Sequence, residues 1–386
     1  MRQASRPTAG HNAAEQGPLL LTPGPLTTAP ETRAAMLRDH GSRDAAFIAL
    51  TRRVRDRLAA LAFGEESHAC VPIQGSGTYA VEAALGSFLD RTRPALVLIN
   101  GAYGKRIERI CRLIGRPVVI YETAEDTPPD PAEIRRRLRA EPGLAGVVLV
   151  HCETTSGILN PLEPIAEVAA EENRGLIVDA MSSYGAIPID LRRTPIDALI
   201  ASSNKCLEGV PGIGFVLARR DRLAAAAGNC HSLSLDLHGQ WQGFENNGQW
   251  RFTPPTHVLA ALDAALDSLD AEGGVAGRFA RYLENCRILV NGLSALGAQA
   301  LLPETLQAPI IVTFRMPADP RFRFECFYEE LGRRGFLIYP GKLAGADSFR
   351  VGCIGQVRAP DMERFVEASR DALCSMGVSS LAPAGA

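Results

Sequence analysis

The chain has no C-x-x-C pair, although it carries nine cysteines among 386 residues. Scattered and odd in number, they give no disulfide framework, and a reducing, cytoplasmic setting is expected. No apolar run approaches the ~20 residues that a membrane-spanning helix needs, so no membrane role is expected. Net charge is also scarce. The balance of 41 basic against 43 acidic residues leaves −2 at pH 7, which removes any global pull towards nucleic acid or an anionic bilayer. There is no internal repeat and no low-complexity block beyond the ends, which argues against a solenoid. Met1–Pro18 lacks the apolar core of a secretory signal and reads as a loose leader. What remains is ordinary globular composition, 46% hydrophobic and 22% charged, with enough chain for a large core and more than one domain.

Short apolar runs alternate with amphipathic stretches. Ala95–Asn100, Pro117–Tyr121, Gly146–His151, Gly175–Asp179, Ala198–Ala201 and Gly214–Leu217 read as buried strands. Lys105–Ile114, Pro131–Ala140 and Pro164–Asn173 read as helices between them. This predicts an α/β architecture, a mostly parallel sheet covered by helices, with ligands gathered at the carboxyl ends of its strands. A helix-rich stretch, Val258–Leu296, bridges to a smaller α+β part. That part contains Ile310–Phe314, a helix near Phe324–Arg334, Leu337–Tyr339, Phe349–Cys353 and a last helix Pro360–Met376. The expected division is a leader over 1–18, a large domain over 19–265, a small domain over 266–376 and a frayed tail over 377–386.

Several polar clusters fall at strand ends or helix starts. Gln74-Gly75-Ser76-Gly77-Thr78 leads into a good helix. Small residues there leave backbone N–H groups open to an anion, which makes a phosphate cradle; a plain helix capped by Ser76 or Thr78 fits the same residues. The spacing is not a Walker loop, because no lysine follows the second glycine. Tyr103, in Asn100-Gly101-Ala102-Tyr103-Gly104, can stack on a planar ring or pack on its own neighbours. His151-Cys152-Glu153-Thr154-Thr155-Ser156-Gly157 is placed to hydrogen-bond a ligand, but adjacent strand residues face opposite ways, so no metal is expected. Arg350 presents a planar fork suited to a carboxylate, or makes a surface ion pair.

Two residues carry the sharper argument. Asp179 closes the buried run Gly175–Asp179, with Ser182 soon after it, and a buried acid demands a cationic partner. Lys205 follows the next buried run, in Ser202-Ser203-Asn204-Lys205-Cys206, and burial makes a lysine amine nucleophilic. A carboxylate and a lysine at neighbouring strand ends suit pyridoxal 5'-phosphate. The amine holds the cofactor as a Schiff base and the acid pairs with its pyridinium nitrogen.

These pieces together resemble the class V aminotransferases of the fold-type-I pyridoxal phosphate enzymes. The matching segments include Leu21-Thr22-Pro23-Gly24-Pro25-Leu26, Gln74 to Ala83, Asn100 to Gly104 and Val178 to Ser183. Asn204-Lys205-Cys206, Gly209-Val210-Pro211-Gly212, Arg251-Phe252-Thr253 and Ile338-Tyr339-Pro340-Gly341-Lys342 continue the likeness, which runs from about Leu19 to about Leu373.

The resemblance implies a fold-type-I transferase with a mostly parallel seven-stranded sheet and a smaller C-terminal α+β domain. It implies transfer of the amino group of 2-aminoethylphosphonate to pyruvate, giving phosphonoacetaldehyde and L-alanine, in a homodimer with shared sites. Lys205 and Asp179 are the implied catalytic residues. Ser76, Gly77, Thr78, Tyr103, Thr155, Ser182 and Thr253, the last from a neighbouring subunit, are the implied cofactor contacts. Arg350 is the implied substrate anchor. Asp39-His40-Gly41-Ser42-Arg43-Asp44 departs from a tryptophan-containing segment of similar chains and is closer to the Gly-x-Arg of alanine:glyoxylate relatives, so Arg43 joins the anion-binding candidates. The rival readings are another class V transaminase (alanine:glyoxylate or serine:pyruvate), a pyridoxal-dependent lyase on an aminophosphonate, and a non-catalytic binder.

Overall fold

Alternate residues of each central strand face opposite layers of the main core, as a two-residue period requires. Leu96, Leu98, Val147, Leu149, Leu176, Val178, Leu199 and Ala201 join one apolar cluster; Val97, Ile99, Val148, Val150, Ile177 and Ile200 join another on the other face. The strands are apolar throughout because helices cover both faces. The computed structural model describes residues 17–384. The expected leader therefore lies outside the described residues, apart from Gly17 and Pro18.

Seven strands form the main sheet, in the order His68–Gln74, Ile213–Arg219, Ala198–Ser202, Gly175–Asp179, Gly146–Val150, Ala95–Ile99 and Val118–Glu122. All neighbours are parallel except Ile213–Arg219, which runs antiparallel to both strands beside it. The six runs expected from the sequence are all present. The seventh, His68–Gln74, was not foreseen.

A second core lies around a three-stranded antiparallel sheet of Ile311–Arg315, Ser348–Gly352 and Tyr339–Pro340, backed by the helices Gly274–Ser294, Phe324–Arg333 and Ala359–Met376. Both chain ends depart from the expected division here. Leu19–Leu20 pairs in parallel with Phe336–Leu337, and Leu21 is buried in this second core, because three consecutive leucines need an apolar partner. The tail expected to fray sends Val378 and Leu381 into the same core, with Leu381 N–H bonded to Leu296 O at 2.8 Å.

The two cores are joined by a buried ionic network. Glu208, in the left-handed region at φ 59° and three residues past Lys205, accepts from Arg281 at 2.7 Å, from the Tyr282 hydroxyl at 2.5 Å and from Gln356 at 2.6 Å. Arg278, fully buried, bonds Cys206 O and Glu272, each at 2.6 Å. The loop that carries the lysine is thereby tied to the long helix Gly274–Ser294 and to residue 356 beyond the small sheet.

Candidate active site

The carboxyl ends of the parallel strands open into one cavity of about 170 Å³. Ser76, Gly77, Thr78, Tyr103, Asp179 and Lys205 all line it, six of the residues singled out from the sequence. Arg106, Met181, Ser202 and Asn204 complete much of the wall.

Lys205 is half-buried, and its Nζ donates to Pro23 O at 2.6 Å. Burial holds its amine below the usual lysine range, opposed by the charges of Tyr103, Cys206 and Asp179. Gly24 makes this contact possible. A Cβ there would lie 2.7 Å from Lys205 Nζ, and φ is +114°, which side chains avoid.

Asp179 is 6% exposed, and among the described residues its carboxylate accepts one hydrogen bond, from Met181 N–H at 2.9 Å. Burial, with help from Glu153, pushes its carboxyl up to about 6. Among the described residues that carboxylate has no ion-pair partner, and a protonated ring nitrogen would supply one.

Ser76 precedes the helix Gly77–Phe88 and spends no side-chain bond on capping it. The first-turn N–H groups have no intrahelical acceptors, so three small residues present donors at the positive end of a helix. A Cβ on Gly77 would come within 2.3 Å of Met181 Sδ, so a side chain there would displace Met181 from the cavity wall. Amine, unpaired acid and anion cradle are the donor set that pyridoxal phosphate requires, and the residues fit it.

The other expected residues stand apart from this cavity. Thr155 is fully buried, and its hydroxyl is already used: it donates to Glu153 at 2.6 Å and accepts from Ala102 N–H at 2.9 Å. Ser182 is buried, with its carbonyl accepting from Cys206 Sγ at 3.3 Å. Arg350 is 6% exposed and bonds Pro340 O at 3.0 Å and Thr154 O at 2.8 Å. Arg43 and Thr253 are exposed and share a separate surface cleft of about 290 Å³. His151 sits below the site with Nδ1 2.9 Å from Ser183 Oγ, and burial pushes it down to about 4.

Glu153 was not foreseen as a site residue. Fully buried, it accepts from Tyr103 N–H at 3.0 Å, Gly104 N–H at 3.2 Å and Thr155 N–H at 3.1 Å, so it fixes the turn that presents Tyr103. In the sequence it is one member of the polar cluster His151–Gly157, with nothing to set it apart from its neighbours. Among the described residues no cluster of His, Cys, Asp and Glu could hold a metal, and no helix is long and apolar enough to cross a membrane.

Residues 30–319 match the family model described as aminotransferase class-V. The chain is 54% identical over 367 residues, 95% of its length and 99% of the relative's, to a 2-aminoethylphosphonate–pyruvate transaminase of Pseudomonas aeruginosa (strain UCBPP-PA14). A 2-aminoethylphosphonate–pyruvate transaminase 1 of Polaromonas sp. (strain JS666) is 53% identical over 363 residues, 93% of this chain and 97% of that one. Among solved structures, an alanine–glyoxylate aminotransferase from Nostoc sp. superposes with a TM-score of 0.86 at 23% identity, covering 96% of this chain and 98% of that chain. That likeness establishes the fold.

Proposed function

The chain belongs to the class V aminotransferases, and on that footing we propose that it transfers the amino group of 2-aminoethylphosphonate to pyruvate. The products are phosphonoacetaldehyde and L-alanine. The observation that carries the chemistry is one cavity lined by Lys205, Asp179 and the Ser76-Gly77-Thr78 helix start. The donor is carried by 54% identity to a transaminase of that name along nearly the whole chain.

Pyridoxal phosphate is the cofactor, and when bound it supplies an electron sink for negative charge developing at the substrate carbon. Lys205 would attach it. Asp179 would face its ring nitrogen, and Ser76, Gly77 and Thr78 would hold its phosphate. Tyr103 bounds the ring space. Thr155 and Ser182 act from behind the wall, through Glu153 and Cys206.

Lys205 Nζ would carry the proton from the substrate carbon to C4′ of the bound cofactor, and back in the second half-reaction. Burial lowers its basicity, which favours the neutral amine that a proton carrier needs. Pro23 O orients the amine between those two tasks. Arg350 cannot deprotonate and gives the substrate anion a permanent countercharge.

The enzyme acts as a cytoplasmic homodimer in this reading. Exposed Tyr79, Leu233 and Phe252 offer apolar surface, and a cleft of about 460 Å³ runs from Gly75 and Tyr79 to Phe252 and Thr253. A second copy on that face would carry its Thr253 and Arg43 towards the cradle.

The test is a donor panel. With pyruvate as acceptor and equal donor concentrations, 2-aminoethylphosphonate is expected to exceed serine by orders of magnitude, and to exceed the alanine–glyoxylate pair likewise. A win for serine, or for alanine with glyoxylate, replaces the phosphonate reading with another class V transaminase.

A further inference from the structure

Three lysines serve the whole chain, against 38 arginines. Lys105 is a surface residue, 3.1 Å from Glu122. Lys205 is the cavity lysine. The third, Lys342, ends the Ile338–Lys342 motif, which has so far no task.

Lys342 Nζ lies 4.2 Å from the centroid of the Tyr103 ring. Tyr103 lines the same cavity as Lys205 and Asp179. Among the described residues Lys342 forms no ion pair, in contrast to Lys105. The other cation on that ring, Arg106, stands 4.8 Å from the centroid and donates to the Thr78 hydroxyl at 3.3 Å, on the side of the helix start. An ammonium resting on a ring face without a counter-ion is free to turn to an incoming anion.

Arg350 is too committed to serve a phosphonate alone. Its bonds to Pro340 O and Thr154 O use Nε and part of Nη1, leaving Nη2 and one further N–H. That remainder matches the two oxygens and single charge of a carboxylate. A phosphonate has three oxygens and carries up to two charges, so it needs a further donor. Lys342 belongs to the same hairpin as Arg350. Tyr339–Pro340 pairs with Phe349–Arg350, and Gly341 N–H bonds Ser348 O at 2.8 Å. Ala344 N–H, two residues on, is held by the Glu125 carboxylate at 3.1 Å, which ties this loop to the large domain.

We propose that Lys342 is the specificity residue for the phosphonate end of the amino donor: its ammonium leaves the Tyr103 face for the oxygens that Arg350 does not reach. The inference rests on the donor assigned above. It also explains how one site alternates between a phosphonate and a carboxylate, with Arg350 shared by both and Lys342 engaged by the first.

Holoenzyme carrying Lys342→Met keeps the length of the stem and loses the charge. Its KM for 2-aminoethylphosphonate should rise by about 10- to 100-fold, the loss of one hydrogen bond to a charged group, while KM for pyruvate moves by less than about threefold. Lys342→Arg should recover most of the loss. Calorimetric titration with two unreactive probes, ethylphosphonate and propionate, reads binding without turnover. Ethylphosphonate should weaken by the same factor in Lys342→Met, and propionate should not. An unmoved KM and ethylphosphonate affinity overturns the assignment, and so does an equal loss for propionate. Wild-type enzyme that fails to turn over 2-aminoethylphosphonate defeats the donor reading instead, and the two probes still decide the selectivity of Lys342.

Discussion

Asp179 bears a burden that only a ligand relieves. Its carboxylate is buried with one backbone donor and a pKa of about 6, against 3.8 in the open chain. Between those values the folded, cofactor-free protein holds a proton that the unfolded chain has released. Folding stability is therefore lost as pH rises through the window, and above about 6 the penalty is constant, on the order of 3 kcal/mol. Asp179→Asn removes it. The cofactor-free variant should gain on wild type between about pH 4 and 6 and keep a level advantage above that, read as the difference in denaturant midpoint. His151, pushed the other way by burial, is common to both proteins and cancels in the difference. A difference independent of pH would mean that Asp179 carries no such penalty. The same variant should lose most of its transaminase turnover, because an amide cannot pair with a cationic ring nitrogen.

A single carboxylate sets the start of the helix Ala102–Leu113. Glu153 receives four hydrogen bonds, from the N–H groups of Tyr103, Gly104 and Thr155 and from the Thr155 hydroxyl. The dipole of the helix favours the negative charge, while burial raises the carboxyl above its ordinary value. Glu153→Gln turns an NH₂ towards two of these donors. Stability should fall by about 1–3 kcal/mol, visible in the denaturant midpoint, and cofactor affinity should fall with it as Tyr103 shifts. Unchanged values of both would leave Glu153 without a positioning role. Elements of this kind were legible from the sequence where burial was continuous. The strand Gly175–Asp179 and the helix Pro131–Ala140 have the expected bounds. The strand His68–Gln74 was hidden because it contains Pro72, which cannot donate to a ladder. It is an edge strand paired on one side only, where proline is tolerated. Of the site, Lys205, Asp179 and the Ser76–Thr78 turn were legible because strand ends and helix starts announce themselves. Glu153 and Lys342 were not, because their tasks depend on contacts with Tyr103, 50 residues before the first and far along the chain from the second.

At the scale of the molecule, the lysine loop depends on residues that come much later in the chain. Glu208 meets Arg281 73 positions on and Gln356 148 positions on. Without them its buried carboxylate stands uncompensated, a defect of about 3–5 kcal/mol for a broken buried pair. During synthesis this becomes a matter of time. At about 5–20 residues per second, roughly 4–15 s pass between the making of Glu208 and of Arg281. For most of that interval, once Arg219 has been made, the nascent chain has all seven strand segments, its aspartate and its lysine, yet no means of locking the loop between them. A chain ending at Gly273 should accordingly fail to take up pyridoxal phosphate; a yellow, cofactor-loaded fragment of that length would break the argument. The growing polypeptide is thus kept from capturing a reactive aldehyde on a half-made site, and the cofactor enters only once the C-terminal helices have been born.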